Sequence, residues 1–195
     1  MSKIEVQAVD VSPEAAQCCR KVFCRGIPWD LTHLDPPAFK VDPGLGSDVT
    51  VLVLFSCHCF SHSLRRDARP SHAIPVDEIY DDGKERRVLN VSRYELSRRY
   101  LRNIVHSLFS RRITVADHRQ PNFVTLENIG ADGTTSLYAV FLEVKRDRSR
   151  RRRLVLRVQS AYVRDNGLTK RQAKAGKVVF ETLLRATYLG KNIRS

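Results

Sequence analysis

Apolar and polar residues alternate most regularly in two runs, "LYAVFLEVK" at 137–145 and "RLVLRVQSAYV" at 153–163. A period of two sends successive side chains to opposite faces of a sheet, so both runs predict half-buried strands. If the turn between them centres near residue 150, Glu143 sits across from Arg157. Tyr138, Val140, Leu142 and Val144 then share a core face with Leu154, Leu156, Val158 and Ser160. The other face presents Glu143, Lys145, Arg157, Gln159 and Ala161. Residues 49–60, "VTVLVLFSCHCF", form a continuous β-branched apolar run and predict a buried strand. Two shorter β-like runs, 112–116 and 122–127, flank a turn at "DHRQP".

Helical spacing dominates 92–109, where Leu101, Ile104, Val105 and Leu108 fall on one face and Arg93, Arg98, Arg99 and Arg102 on the other. Ser92 and Glu95 have the spacing of a capping box. A short helix is also predicted over 12–23, with Ser12 as N-cap and Pro13 at its first position. Residues 65–87 contain Pro70, Pro75 and "DDGKE" and predict a long loop. The run 177–184 fits helix and strand periods alike, and the alternation of Val178, Phe180, Thr182 and Leu184 favours a strand. Together these elements predict an α+β protein: a mostly antiparallel sheet with one long amphipathic helix packed on it.

Charge divides the chain. Of 195 residues, 1–83 hold 8 Lys or Arg against 12 Asp or Glu, and 84–195 hold 26 against 9, so the net of +13 arises from −4 and +17. This split suggests two regions: a mildly acidic strand-and-loop part, 1–83, packed on the same core, and a basic helix-plus-sheet part, 84–195. Solubility needs far less charge, so the basic part implies a polyanionic partner, RNA or DNA, with an acidic partner or inhibitory protein as the alternative. The densest positive stretch is the turn between the two alternating runs. Arg146, Arg148, Arg150, Arg151, Arg152 and Arg153 crowd into eight residues there. With Lys145, Gln159 and the helical Arg98, Arg99 and Arg102, they are the candidate nucleic-acid-binding residues.

Glu143 opposite Arg157 admits two readings. One is a cross-strand ion pair. The other is a ribonuclease surface, where a carboxylate and a histidine move protons while arginines hold the scissile phosphate. His118, on the turn after a strand, is the candidate histidine. A helix followed by antiparallel strands over 92–195, with basic residues on the open face, resembles the barnase, colicin and RelE group of metal-independent ribonucleases. That resemblance implies catalysis by Glu143, Arg157 and His118 with no cofactor, although here no histidine follows Arg157. The pattern Asp132…Glu143-Val144-Lys145 resembles the PD-(D/E)XK nucleases and implies Mg²⁺ instead. The segment "LRVQSAYVRD" resembles a set of bacterial proteins of unassigned function, which implies a shared fold and no activity.

Five cysteines, two of them adjacent, do not form a disulfide framework and suit a reducing, cytoplasmic setting. In "CHCFSH", Cys57, Cys59 and His62 have no usual zinc-finger spacing, so unligated thiols are expected rather than a metal site. No apolar run reaches the length of a spanning helix, and no membrane partner is expected.

Overall fold

The computed structural model describes residues 7–9, 22–117, 122–128, 136–164, 170–191 and 193. In chain order the strands begin with β1 (Gln7–Val9), β2 (Val22–Cys24), β3 (Ile27–Trp29), β4 (Ala38–Val41) and β5 (Val49–Phe55). Three short strands follow, β6 (Ser61–Ser63), β7 (Ile79–Asp81) and β8 (Arg86–Leu89). Helices α1 (Val91–Leu96) and α2 (Arg102–His106) are joined by a π-helical turn, Ser97–Leu101. Then come β9 (Arg112–Asp117), β10 (Asn122–Asn128), β11 (Leu137–Arg146) and β12 (Arg153–Arg164). The chain continues with α3 (Lys170–Lys174), β13 (Lys177–Val179) and α4 (Phe180–Tyr188).

The fold is α+β. One sheet of eight strands runs in the order β1-β4-β5-β12-β11-β10-β9-β13. Every pairing in it is antiparallel except β5 with β12, which is parallel. The predicted strands at 112–116, 122–127, 137–145 and 153–163 are present within a residue or so of their expected ends. The paired strands β5 and β12 come from opposite halves of the chain. One buried cluster among the described residues therefore draws on both halves, from Val22 and Val53 to Leu183 and Leu184. Leu101, Ile104, Val105 and Leu108, all nearly or fully buried, join it from the helical segment.

The helical residues cover the face of the sheet formed by Tyr138, Val140, Leu142 and Val144. Tyr100 lies against Tyr138, and Phe109 packs edge-on to both Phe39 and Phe180. Full burial of one such side chain stabilises the fold by roughly 1.5–3 kcal/mol. Tyr138 is the exception in chemistry, because its hydroxyl is buried without a hydrogen-bond partner among the described residues. Burial also pushes its ionisation upward.

Several expectations are corrected by tertiary structure. The long helix begins at Val91, capped by Asn90, whose side chain accepts from the Arg93 amide. Ser92, expected to open a capping box with Glu95, lies inside α1 instead. Residues 65–87 are not one loop: β7 and β8 form a three-stranded sheet with β6. The strand expected over 49–60 stops at Phe55, where Ser56 caps a 3₁₀ turn at Cys57–Cys59. The strand expected over 177–184 is β13 for three residues only, and α4 follows because Phe180, Leu183 and Leu184 bury one helical face. The helix expected over 12–23 does not reach Val22, which opens β2; its residues before Val22 lie outside the described ones.

Two stability measurements check this packing. Asn90→Ala should cost about 1 kcal/mol by urea denaturation, whereas Ser92→Ala should change stability by less than about 0.5 kcal/mol. Tyr138→Phe should be neutral or stabilising by about 1 kcal/mol, since it removes a buried group with no partner. A loss of more than about 1 kcal/mol on that change would show that the hydroxyl is satisfied.

Candidate functional site

The β11–β12 hairpin sets the site. Glu143 is the register partner of Arg157, as the alternation predicts. Directly paired Cα atoms in antiparallel strands lie about 4.5–5.5 Å apart, so the two side chains leave the same patch of the sheet. The cross-strand ion pair, one of the two readings of this pairing, does not form. Glu143 Oε1 instead lies 2.7 Å from Lys145 Nζ on its own strand. Arg157 is exposed and has no carboxylate partner among the described residues.

The register shifts between Phe141 and Leu142, leaving Gln159 as an extra residue in β12. This bulge overturns the simple alternation beyond Val158. Ala161 pairs with Val140 and is buried in the core, while Ser160 turns to the open face with Gln159. Bulges re-aim side chains in this way and occur often beside functional sites.

Beyond that patch the sheet borders a cleft of about 880 Å³. Glu143, Arg157, Gln159 and Ser160 line one side, and Cys57, His58, Tyr80, Asp82, Lys84 and Glu85 line the other. The parallel β5–β12 pair creates this meeting. Phe55 pairs with Val158, the Ser56 amide donates to the Val158 carbonyl, and the Ser56 hydroxyl donates to the Gln159 carbonyl at 3.0 Å. Ser56 also accepts from the His58 amide at 3.0 Å, which starts the 3₁₀ turn.

His58 donates from Nε2 to Glu85 Oε1 at 2.6 Å, and Arg87 Nη1 donates to the same oxygen at 3.0 Å. Burial alone would raise Glu85, but the His58 hydrogen bond and the nearby Arg87 bring its carboxyl below the ordinary value. Asp82 is likewise lowered, first by the Glu85 and Lys84 amides that it caps. Burial, then Asp82, pushes the Cys57 thiol up to about 12, so it is not a nucleophile near neutral pH. Each carboxylate in the cleft is committed to a neighbour, and Arg157 is left without one.

The arginine turn forms a second feature. Asp147 accepts from the Ser149 amide and hydroxyl and is clasped by Arg153. Those bonds, the Ser149 hydroxyl first, hold its carboxyl at about 2. Arg152 closes the turn in the left-handed region, at φ 55°. Between this turn and the end of α4 lies a depression of about 820 Å³, lined by Lys145, Arg146, Arg148, Arg150, Arg151, Arg152, Arg153 and Lys191. Asp147 is the one carboxylate in its lining, and Arg146 lies over the Tyr188 ring.

The sequence model of the YjaZ family matches residues 21–188. The chain belongs to the YjaZ family. No curated protein and no solved structure matches it.

In this YjaZ-family chain the expected site residues fall into three groups. Glu143, Arg157 and Gln159 share the cleft, and Lys145 with Arg146 to Arg153 forms the turn. Arg98, Arg99 and Arg102 join neither, because their helix packs on the opposite face of the sheet. Arg98 and Arg99 lie over Tyr94 and Tyr100, and Arg102 donates to the Thr32 carbonyl. His118 and Asp132 lie outside the described residues. His58 and Glu85 were missed as site residues, since only the β5–β12 pairing brings them to Arg157. Among the described residues no cluster of His, Cys, Asp and Glu is arranged to hold a metal ion. None of their helices is long and apolar enough to cross a membrane.

A separate polar network ties the loop before α1 to that helix. The Asn90 amide donates to His62 Nδ1 at 3.2 Å, so His62 Nε2 carries the proton shared with Asp67 at 3.2 Å. Arg69 bridges Asp67 and Glu78, and Arg25 also donates to Glu78. Arg69 is the largest cause that depresses both carboxyls. A depressed carboxyl contributes stability above its unfolded pKa of about 4, and that stability is lost as pH falls through the folded value. The urea midpoint should therefore fall steeply below about pH 4, and Asp67→Asn should flatten that fall. An unchanged pH profile in Asp67→Asn would count against the network.

Proposed function

We propose that this protein binds nucleic acid through the β11–β12 turn. The supporting observation is the depression beside that turn, where eight cationic side chains surround one carboxylate that is already clasped by Ser149 and Arg153. Arg148, Arg150, Arg151 and Arg152 have no carboxylate partner among the described residues. Guanidinium groups held on a short, closed turn suit phosphate oxygens, which accept paired N–H donors. Their density follows from the sequence, and the contacts of Asp147 with Ser149 and Arg153 close the turn that carries them. Lys145 and Arg157 extend the positive surface along the strands toward the cleft.

Binding should then weaken steeply with salt, because each neutralised phosphate releases counterions and contributes a slope of about 0.7 for single strands or 0.9 for duplex DNA in log K against log salt. Changing Arg150, Arg151 and Arg152 together to Ser should lower the slope by about two to three. Fluorescence anisotropy with labelled oligonucleotides over a salt series measures it. An unchanged slope in a folded variant would remove the turn from the binding surface.

A further inference from the structure

We propose that the cleft formed by Glu143, Arg157 and His58 cleaves single-stranded RNA by transferring the phosphodiester to the neighbouring 2′-hydroxyl. The inference rests on the nucleic-acid reading above and adds a reaction to it. Three observations meet at one place. Arg157 is exposed, borders the cleft and has no carboxylate partner among the described residues. Glu143 leaves the same patch of sheet, with one oxygen toward Lys145. His58 faces the same cleft, its ring held through Nε2 by Glu85.

RNA is the substrate class because it brings its own nucleophile. The cleft then needs to supply proton transfer and charge stabilisation, which these side chains provide. The 2′-oxygen attacks phosphorus as Glu143 accepts the hydroxyl proton. The phosphorus–O5′ bond breaks, and protonated His58 gives its proton to O5′. The products are a 2′,3′-cyclic phosphate and a 5′-hydroxyl end, with no electron donor or other reactant needed. Arg157 stabilises the charge that grows on the phosphoryl oxygens. Glu85 is a positioning residue that holds the imidazole and balances its charge. Tyr80 and Gln159 lie in the same lining, where a base meets a ring face and an amide.

The test uses the full chain, a labelled single-stranded RNA, and the same oligomer with 2′-deoxy sugars, all in EDTA. RNA should be cut to cyclic-phosphate ends while the 2′-deoxy oligomer is bound and left intact. Glu143→Gln, His58→Ala and Arg157→Ala should each slow cleavage by about 10²-fold or more, with unchanged circular dichroism and with binding of the deoxy oligomer retained by the first two. Glu85→Gln, which still accepts a hydrogen bond from the ring, should retain more activity than Glu85→Ala and lower kcat more than it raises KM. His106→Ala, on a helix across the sheet, should cut at the normal rate. Binding without cleavage would overturn the catalytic inference and leave the binding reading intact. Absence of both would overturn the two together, and equal cleavage by every variant would remove the cleft from the reaction.

Discussion

Along β12, backbone groups pair with β11 on one edge and with β5 on the other, antiparallel on the first and parallel on the second. A parallel partner cannot arrive by a tight turn, and here residues 56–152 intervene. That segment supplies the long helix, the small β6-β8-β7 sheet and the strands β9 to β11. It also explains why the 3₁₀ turn carrying His58 starts beside Gln159. Breaking the β5–β12 register would separate the two walls of the cleft and open the core at its centre.

The two basic features differ in how their charge is held. At the turn, one carboxylate organises many guanidinium groups, and the positive excess is open to solvent. In the cleft, three carboxylates are each engaged by an amide, a lysine or an arginine, and Arg157 is the group left over. An unpaired cation among satisfied neighbours favours an anion at that point, and the cleft walls raise the interaction above its value in open water. β11 and β12 join the two features, with Lys145 and Arg157 between them.

Specific signals in the sequence account for the parts that were legible. Alternation identified β11 and β12 and placed Glu143 across from Arg157, because the strand period and the turn centre are local properties. The buried face of the long helix was legible in Leu101, Ile104, Val105 and Leu108 for the same reason. Local signals failed where two of them competed. Ser92 looked like a cap, yet Asn90 was free to accept the Arg93 amide; residues 177–184 alternated, yet Phe180, Leu183 and Leu184 found a helical groove.

By itself, then, the sequence determined the α+β class, the main hairpin with its register from the turn as far as Val158 and the density of charge at its turn, since each depends on neighbours in the chain. Tertiary structure alone decided that Lys145, not Arg157, pairs with Glu143, that a bulge turns Ser160 outward, and that Arg98, Arg99 and Arg102 lie across the sheet. It alone brought His58 and Glu85 to Arg157, through a parallel pairing between strands about one hundred residues apart. Such a pairing leaves no local mark, because the backbone groups that make it are the same in every residue but proline.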